Sequence, residues 1–194
     1  LYETLLTNEE CAKAEDMGDF YRVPADNRSL NYDKFFSEYN RSMAQILLTG
    51  DDVEDPERAE HLSNTFSALL EMGVIPVVNE NDSVSSAEIE TGRHKVLGDN
   101  DTLSAIVAEL CRADLLVLLS DIDGLYDADP KTHPEAKLLH QVTELTPEIL
   151  EMAGGAGSWR GTGGMATKLR AAKMVIAQGC DMVITNGEHP ERLY

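Results

Sequence analysis

The sequence is short of basic residues, aromatics and cysteines, and each shortage narrows what the protein can be. Only 16 Lys and Arg stand against 35 Asp and Glu, a formal charge of −19. Such a surface repels nucleic acid and anionic lipid, so general polyanion binding is excluded. An anionic substrate is admitted only at a site that gathers local cations and backbone N–H groups. No apolar run reaches the roughly 18 residues that a membrane span needs. The 3 cysteines, Cys11, Cys111 and Cys180, lie far apart without a CxxC pair. They make neither a metal site nor a disulfide framework, and they suit a reducing compartment, which points to the cytoplasm. There is no internal repeat, no low-complexity tract and no signal-peptide pattern. The first residue is Leu1 rather than Met, so the chain is expected to start inside a longer protein.

What is present is globular: 194 residues, 42% hydrophobic and 26% charged, enough for one domain with a buried core. Residues 8 to 33 are polar, with charges of both signs, and read as a surface excursion; residues 34–39 read as a short helix. From Ser42 onward strands and helices alternate. Residues 43–48, 74–78, 115–119 and 182–185 are short apolar runs that read as buried strands. Asp55-Pro56-Glu57 opens a helix whose stripe is Leu62, Phe66, Leu69 and Leu70 and whose stop is Gly73. Residues 102–112 form a helix with Leu103, Ile106, Val107 and Leu110 on one face. Thr146-Pro147-Glu148 starts a short one. Residues 165–178 form another, with Met165, Leu169, Ala172 and Ile176 inward and Gly179 closing it. Continuously apolar strands are covered on both faces, and alternation with helices makes them parallel. The expected architecture is α/β, a three-layer αβα sandwich around a mainly parallel central sheet. In such sheets ligands bind beyond the carboxyl ends of the strands.

The segments after the strands carry the polar residues. Asn79-Glu80-Asn81-Asp82 is either a turn or a small polar pocket for amino and carboxyl groups. Gly98-Asp99-Asn100-Asp101 precedes a helix. Asp101 is a good N-cap, yet capping needs one acid, and Asp99 adds a second suited to holding lysines or a hydrated Mg²⁺ near a phosphate. Ser120-Asp121-Ile122-Asp123-Gly124 has DxDG spacing, but Leu125 stands where a calcium loop needs oxygen, so a nucleotide-contacting turn fits better. The richest stretch is Thr162-Gly163-Gly164-Met165-Ala166-Thr167-Lys168, after Gly161 and the run Gly154-Gly155-Ala156-Gly157. Glycines before a helix let N–H groups approach phosphate oxygens, and Lys168, one turn in, reaches the same anion; a flexible loop capping a helix is the plainer alternative. The Walker A order is absent, and the GxGxxG-type match follows a loop, not a strand. Trp159 reads as a loop anchor or a lid over a base. The histidines, methionines and cysteines read as surface or packing residues.

VIPVVNENDSVSSAEI, LGDNDTLSAIVAELCRADLLVLLSDIDGLYDADP and GTGGMATKLRAAK occur in this order. Together they resemble the glutamate 5-kinases of the amino acid kinase family, from about Lys34 to Tyr194. The resemblance implies ATP-dependent phosphorylation of the γ-carboxylate of glutamate, the first step of proline synthesis. It implies that Asp82 and Asn100 hold glutamate, with Asn81 and Asp99 beside them. ATP then lies against Ser120, Asp121 and the loop Thr162, Gly163, Gly164, Met165, Ala166, Thr167 and Lys168. Lys168 would stabilise the transferring phosphoryl group and Asp101 would orient the catalytic lysines. Mg²⁺ would ride mainly on the ATP phosphates, with no protein metal cage. Proline as a feedback inhibitor, acting through residues 88–97, and self-association come with the family; the acidic charge and the want of a long apolar run argue against nucleic acid and membrane partners for this chain.

The sequence departs from the family in lacking the first strand with its second catalytic lysine and the glycine/serine loop that binds glutamate. The chain is therefore expected to be a partial kinase domain, crippled on its own, with no carboxy-terminal RNA-binding-like domain in it. LYETLL and KFFSEY both resemble a single family helix, which leaves residues 8–33 as an atypical insertion. The alternatives are another kinase of this fold, acting on acetylglutamate, aspartate or carbamate, and an inactive nucleotide-binding regulatory module.

Overall fold

The computed structural model describes residues 6–7, 28–81, 99–130, 132–152, 164–188 and 193. The chain forms two compact units, Leu1–Leu103 and Ser104–Tyr194.

The first unit is a parallel three-stranded sheet in the order β1 (Leu6–Thr7), β3 (Val74–Glu80), β2 (Ser42–Leu48). Its register runs from Ser42 opposite Val74 to Leu48 opposite Glu80, with Leu6 opposite Val77. Helix α1 covers Arg28–Glu38. It starts six residues before the expected Lys34, and so takes in the end of the stretch read as a surface excursion. The cause is an aromatic pair one turn apart. Tyr32 and Phe36 are both buried, in a cluster with Val77 of β3, and Phe35, Met43 and Ile75 pack around them. Burying two rings outweighs a polar composition. KFFSEY therefore lies on a helix, apart from its last residue, whereas Leu6 of LYETLL lies in a strand; the rest of the proposed insertion, residues 8–27, is outside the described residues.

After β2 comes a single turn, α2 (Gly50–Glu54), and then α3 (Pro56–Glu71). The Asp55 carboxylate accepts the N–H groups of Glu57 and Arg58 at 3.0 and 3.1 Å, and Pro56 occupies the first helical position, as the sequence suggests. Gly73 follows the last turn with φ +69. Helix α3 packs on β3 and buries Phe66 completely.

The start of α2 is held by one carboxylate. Asp52 Oδ2 accepts the Thr49 hydroxyl at 2.6 Å and the Thr49 N–H at 2.9 Å, and Arg58 pairs with its other oxygen at 3.3 Å. The Thr49 hydroxyl, more than any other group, holds the Asp52 carboxyl below its ordinary range, against the opposing effect of burial. A carboxyl depressed in the folded state adds stability that is full above its unfolded pKa and is lost as pH falls through the folded one. Asp52→Asn is expected to cost about 0.5 to 1 kcal/mol at neutral pH, small because the side chain is partly exposed. The gap to wild type should close below about pH 4. Urea unfolding of both proteins across that range checks this; a gap independent of pH would refute it.

The second unit holds a parallel pair, β4 (Leu115–Ser120) and β5 (Asp181–Asn186), in register from Leu115 opposite Asp181 to Ser120 opposite Asn186. Helix α4 (Asn100–Cys111) leads into β4, and α6 (Met165–Ile176) leads into β5. Between them Thr146 caps the short α5 (Pro147–Met152), its hydroxyl accepting the Ile149 N–H at 3.4 Å. The core joins Ala105 and Ala108 of α4, Ala171 and Val175 of α6, Leu116 and Leu118 of β4, and Cys180. Alanines at these contacts let the helices lie close to the sheet.

Two details differ from the sequence reading. The inward positions of α6 are Thr167, Leu169, Ala171, Ala172 and Val175, while Ile176 is 49% exposed. Ile176 is the last helical residue, and Val175 takes the core position instead. The strand β4 is not covered evenly: Leu116, Leu118 and Ser120 are buried, whereas Leu115 is 37% exposed. Val183 of β5 is exposed on the same face as Leu115, away from the core side chains. All described strand pairings are parallel and alternate with helices, as expected for α/β, and they form two sheets of three and two strands. No helix among the described residues is long and apolar enough to cross a membrane.

Candidate functional site

Helix α6 turns through residues 177–179 into β5 and packs back along it. It therefore runs antiparallel to the strand, and its first turn lies toward the carboxyl edge of the β4–β5 sheet. Ser120 ends β4 at that edge, and Gly164 and Lys168 stand at the start of α6.

Ser120 ends β4 with its side chain buried, and its hydroxyl donates to Asp121 Oδ1 at 3.2 Å. Asp121 itself is exposed. The chain then bends through residues 121–124 into an antiparallel excursion. There Tyr126 bridges Leu138, the Leu139 N–H donates to the Leu125 carbonyl at 2.8 Å, and the Lys137 N–H donates to Asp127 Oδ1 at 2.7 Å. Among the described residues no group of three His, Cys, Asp or Glu is placed to hold a metal ion.

Gly164 is the N-cap of α6, with φ +90 and ψ −159, and offers no side-chain cap. That backbone region favours glycine. The Gly164 carbonyl accepts the Thr167 hydroxyl at 2.7 Å, and the first helical bond, from the Lys168 N–H to the same carbonyl, is 3.5 Å. The Thr167 side chain is buried, so its hydroxyl fixes the helix start from inside. Lys168 is half-buried one turn in, and Met165 and Ala166 are half-buried beside it. A helix start capped by glycine and carrying a lysine combines the positive end of the helix dipole with a nearby cation, which suits phosphate. Thr162 and Gly163, with the upstream glycine run and Trp159, lie outside the described residues.

In the first unit, Asn81 follows β3, and its N–H donates to the Leu48 carbonyl at 2.7 Å. The half-buried Asn81 therefore sits beside the carboxyl end of β2. Asp82 and residues 88–97 are outside the described residues. Helix α4 begins at Asn100, two residues before the expected Thr102. Its cap is Asp99, not Asp101: Asp99 Oδ1 accepts the Thr102 N–H at 2.7 Å and Oδ2 accepts the Thr102 hydroxyl at 3.1 Å. Capping thus accounts for Asp99 and does not account for Asp101, which stands with Asn100 in the first turn.

Strand β5 runs to Asn186, one residue past the expected Thr185, and Asn186 and Gly187, not expected from sequence, share the carboxyl edge with Ser120. The Asn-Gly pair was the available signal, since it marks a turn at a strand end.

The amino acid kinase family profile matches residues 3–186. The glutamate 5-kinase of Clostridium perfringens is 56% identical over 162 residues, covering 84% of this chain and 60% of that enzyme. The glutamate 5-kinase of Clostridium acetobutylicum is 52% identical over 162 residues, covering 84% of this chain and 58% of that enzyme. The isopentenyl phosphate kinase of T. acidophilum, solved as a product complex, superposes with a TM-score of 0.54 at 19% identity, covering 87% of this chain and 61% of that one; this likeness concerns the fold alone. The chain spans 60% and 58% of the length of these two relatives, and 41% of another matched glutamate 5-kinase. Parallel strands alternating with helices, a glycine-capped helix carrying a lysine, and a match across nearly all the residues agree: the chain belongs to the amino acid kinase family.

Proposed function

We propose that this protein transfers the γ-phosphoryl group of ATP to the γ-carboxylate of glutamate, opening proline synthesis. The observation that carries the reading is the start of α6, where Gly164 supplies no side-chain cap and Lys168 follows one turn later, in a chain about half identical to glutamate 5-kinases. A carboxylate oxygen of glutamate attacks the γ-phosphorus as the bond to ADP breaks, giving an acyl phosphate and ADP. The nucleophile is already ionised, so the reaction needs in-line positioning and relief of anionic repulsion more than proton transfer. Lys168 and the first-turn N–H groups of α6 supply that relief, and the Ser120–Asp121 turn takes the nucleotide. Asn81, Asp82 and Asn100 hold glutamate. Asp99 acts through the fold by fixing the first turn of α4, and Asp101 orients the catalytic lysines. Magnesium bound to the phosphates would neutralise part of their charge. Cytoplasmic location, self-association and proline inhibition through residues 88–97 belong to the same reading.

The test is acyl phosphate formation trapped with hydroxylamine, run on this chain and on the complete gene product, with glutamate, acetylglutamate and aspartate. Hydroxamate from glutamate alone, in the complete product, is the expected result. Turnover of acetylglutamate or aspartate in place of glutamate would overturn the substrate. ATP binding without any hydroxamate would point to a regulatory module.

A further inference from the structure

We propose that Asn186 and Gly187 are positioning residues that set the Ser120–Asp121 turn for nucleotide, an inference that rests on the nucleotide reading above. Ser120 and Asn186 are the last paired residues of the β4–β5 sheet. One further bond extends the ladder past them: the Gly187 N–H donates to the Ser120 carbonyl at 2.8 Å. This bond fixes the peptide plane between Ser120 and Asp121, the point at which β4 gives way to the turn. With its carbonyl held, Ser120 keeps its buried hydroxyl on the Asp121 carboxylate at 3.2 Å.

The partner strand is built for this approach. Gly187 is buried, and a Cβ there would meet Leu119 Cβ at 3.3 Å and the Ser120 carbonyl oxygen at 3.7 Å. The first contact is tighter than ordinary packing, so a side chain there requires Leu119 or the end of β5 to give by a few tenths of an ångström. Directly after it, the Glu188 N–H donates to Asn186 Oδ1 at 2.9 Å. That side-chain bond turns the chain away from the sheet and leaves the Gly187 N–H aimed at Ser120. Neither residue needs to touch nucleotide. Their effect reaches it through Ser120 and Asp121, so they should alter nucleotide affinity and leave the acceptor site alone.

The experiment uses the complete gene product and the non-hydrolysed ATP analogue AMP-PNP, titrated by calorimetry, together with KM for ATP and for glutamate. In Gly187→Ala we expect the Kd for AMP-PNP and the KM for ATP each to rise by about tenfold, with the KM for glutamate unchanged. In Asn186→Ala the rise should be about threefold, and Asn186→Asp, whose carboxylate also accepts the Glu188 N–H, should restore affinity to about wild type. If Gly187→Ala does not fold, the Asn186 pair decides. The inference is overturned if the variants bind AMP-PNP as wild type does, if both KM values rise together, or if Asn186→Asp is no better than Asn186→Ala. A wild-type protein that does not bind AMP-PNP overturns the nucleotide reading, and this inference with it; binding by wild type with unaltered variants overturns this inference alone.

Discussion

Replacing Lys168 by methionine in the complete protein is expected to lower kcat with glutamate and ATP by about 100- to 1,000-fold, or about 3 to 4 kcal/mol of transition-state stabilisation. In the proposed reaction charge spreads over the equatorial oxygens of the transferring phosphoryl group, and a cation placed there before the reaction needs no reorganisation. Lys168 stands one turn inside a helix whose cap has no side chain to compete for the anion. Methionine keeps an unbranched stem of similar length, so packing at this half-buried position is retained while the charge is lost. The Thr167 hydroxyl, which the substitution leaves in place, holds the Gly164 carbonyl at 2.7 Å. Melting temperature should therefore stay close to wild type, and KM for ATP should rise far less than kcat falls. A kcat within threefold of wild type would remove Lys168 from the proposed chemistry.

Phe66→Ala is expected to destabilise the protein by about 3 to 5 kcal/mol, the range for deleting a buried phenylalanine ring. Phe66 has 0% exposure and lies mid-way along α3, the helix that connects β2 to β3 and packs on the latter. Its loss removes apolar burial and leaves a cavity that α3 can close only by shifting on the sheet. Met72, at the end of the same helix, is 68% exposed, and Met72→Ala should change stability by less than about 0.5 kcal/mol. Urea unfolding followed by circular dichroism measures both. A Phe66→Ala effect no larger than that of Met72→Ala would mean that the α3–β3 contact carries little of the stability.

Much of this architecture was legible because local chemistry and tertiary packing agree. Asp55-Pro56 and Gly73 mark the ends of α3 by capping, a proline-compatible first turn and a left-handed stop, all properties of single residues. Short runs of four to six residues locate β2, β3, β4 and β5 to within two residues at each end. Helix α1 escapes a local reading because its stability comes from two rings, Tyr32 and Phe36, meeting Val77 some forty residues later, a contact that no local pattern announces. The cap of α4 is ambiguous in sequence for a different reason. Asp99 and Asp101 are equally good capping residues, and only the helix start decides between them. For the candidate site, residue types and order pointed to Ser120, Asp121 and the start of α6. That the start of α6 lies toward the edge where β4 ends follows from α6 packing back along β5, and the bond of Gly187 to Ser120 depends on backbone proximity.

The two sheets close very different lengths of chain. Ser42 and its partner Val74 are 32 residues apart, whereas Leu115 and its partner Asp181 are 66 apart. Closure entropy grows only as the logarithm of loop length, so this near-doubling costs about 0.6 kcal/mol. Between two neighbouring strands the chain thus lodges the Tyr126–Leu138 excursion, α5 and the whole glycine-rich approach to Lys168 for less than the loss of one helix cap. Polymer statistics leave that interval open to lengthening and rewriting, while the paired ends, from Leu115 to Ser120, hold the chemistry in register.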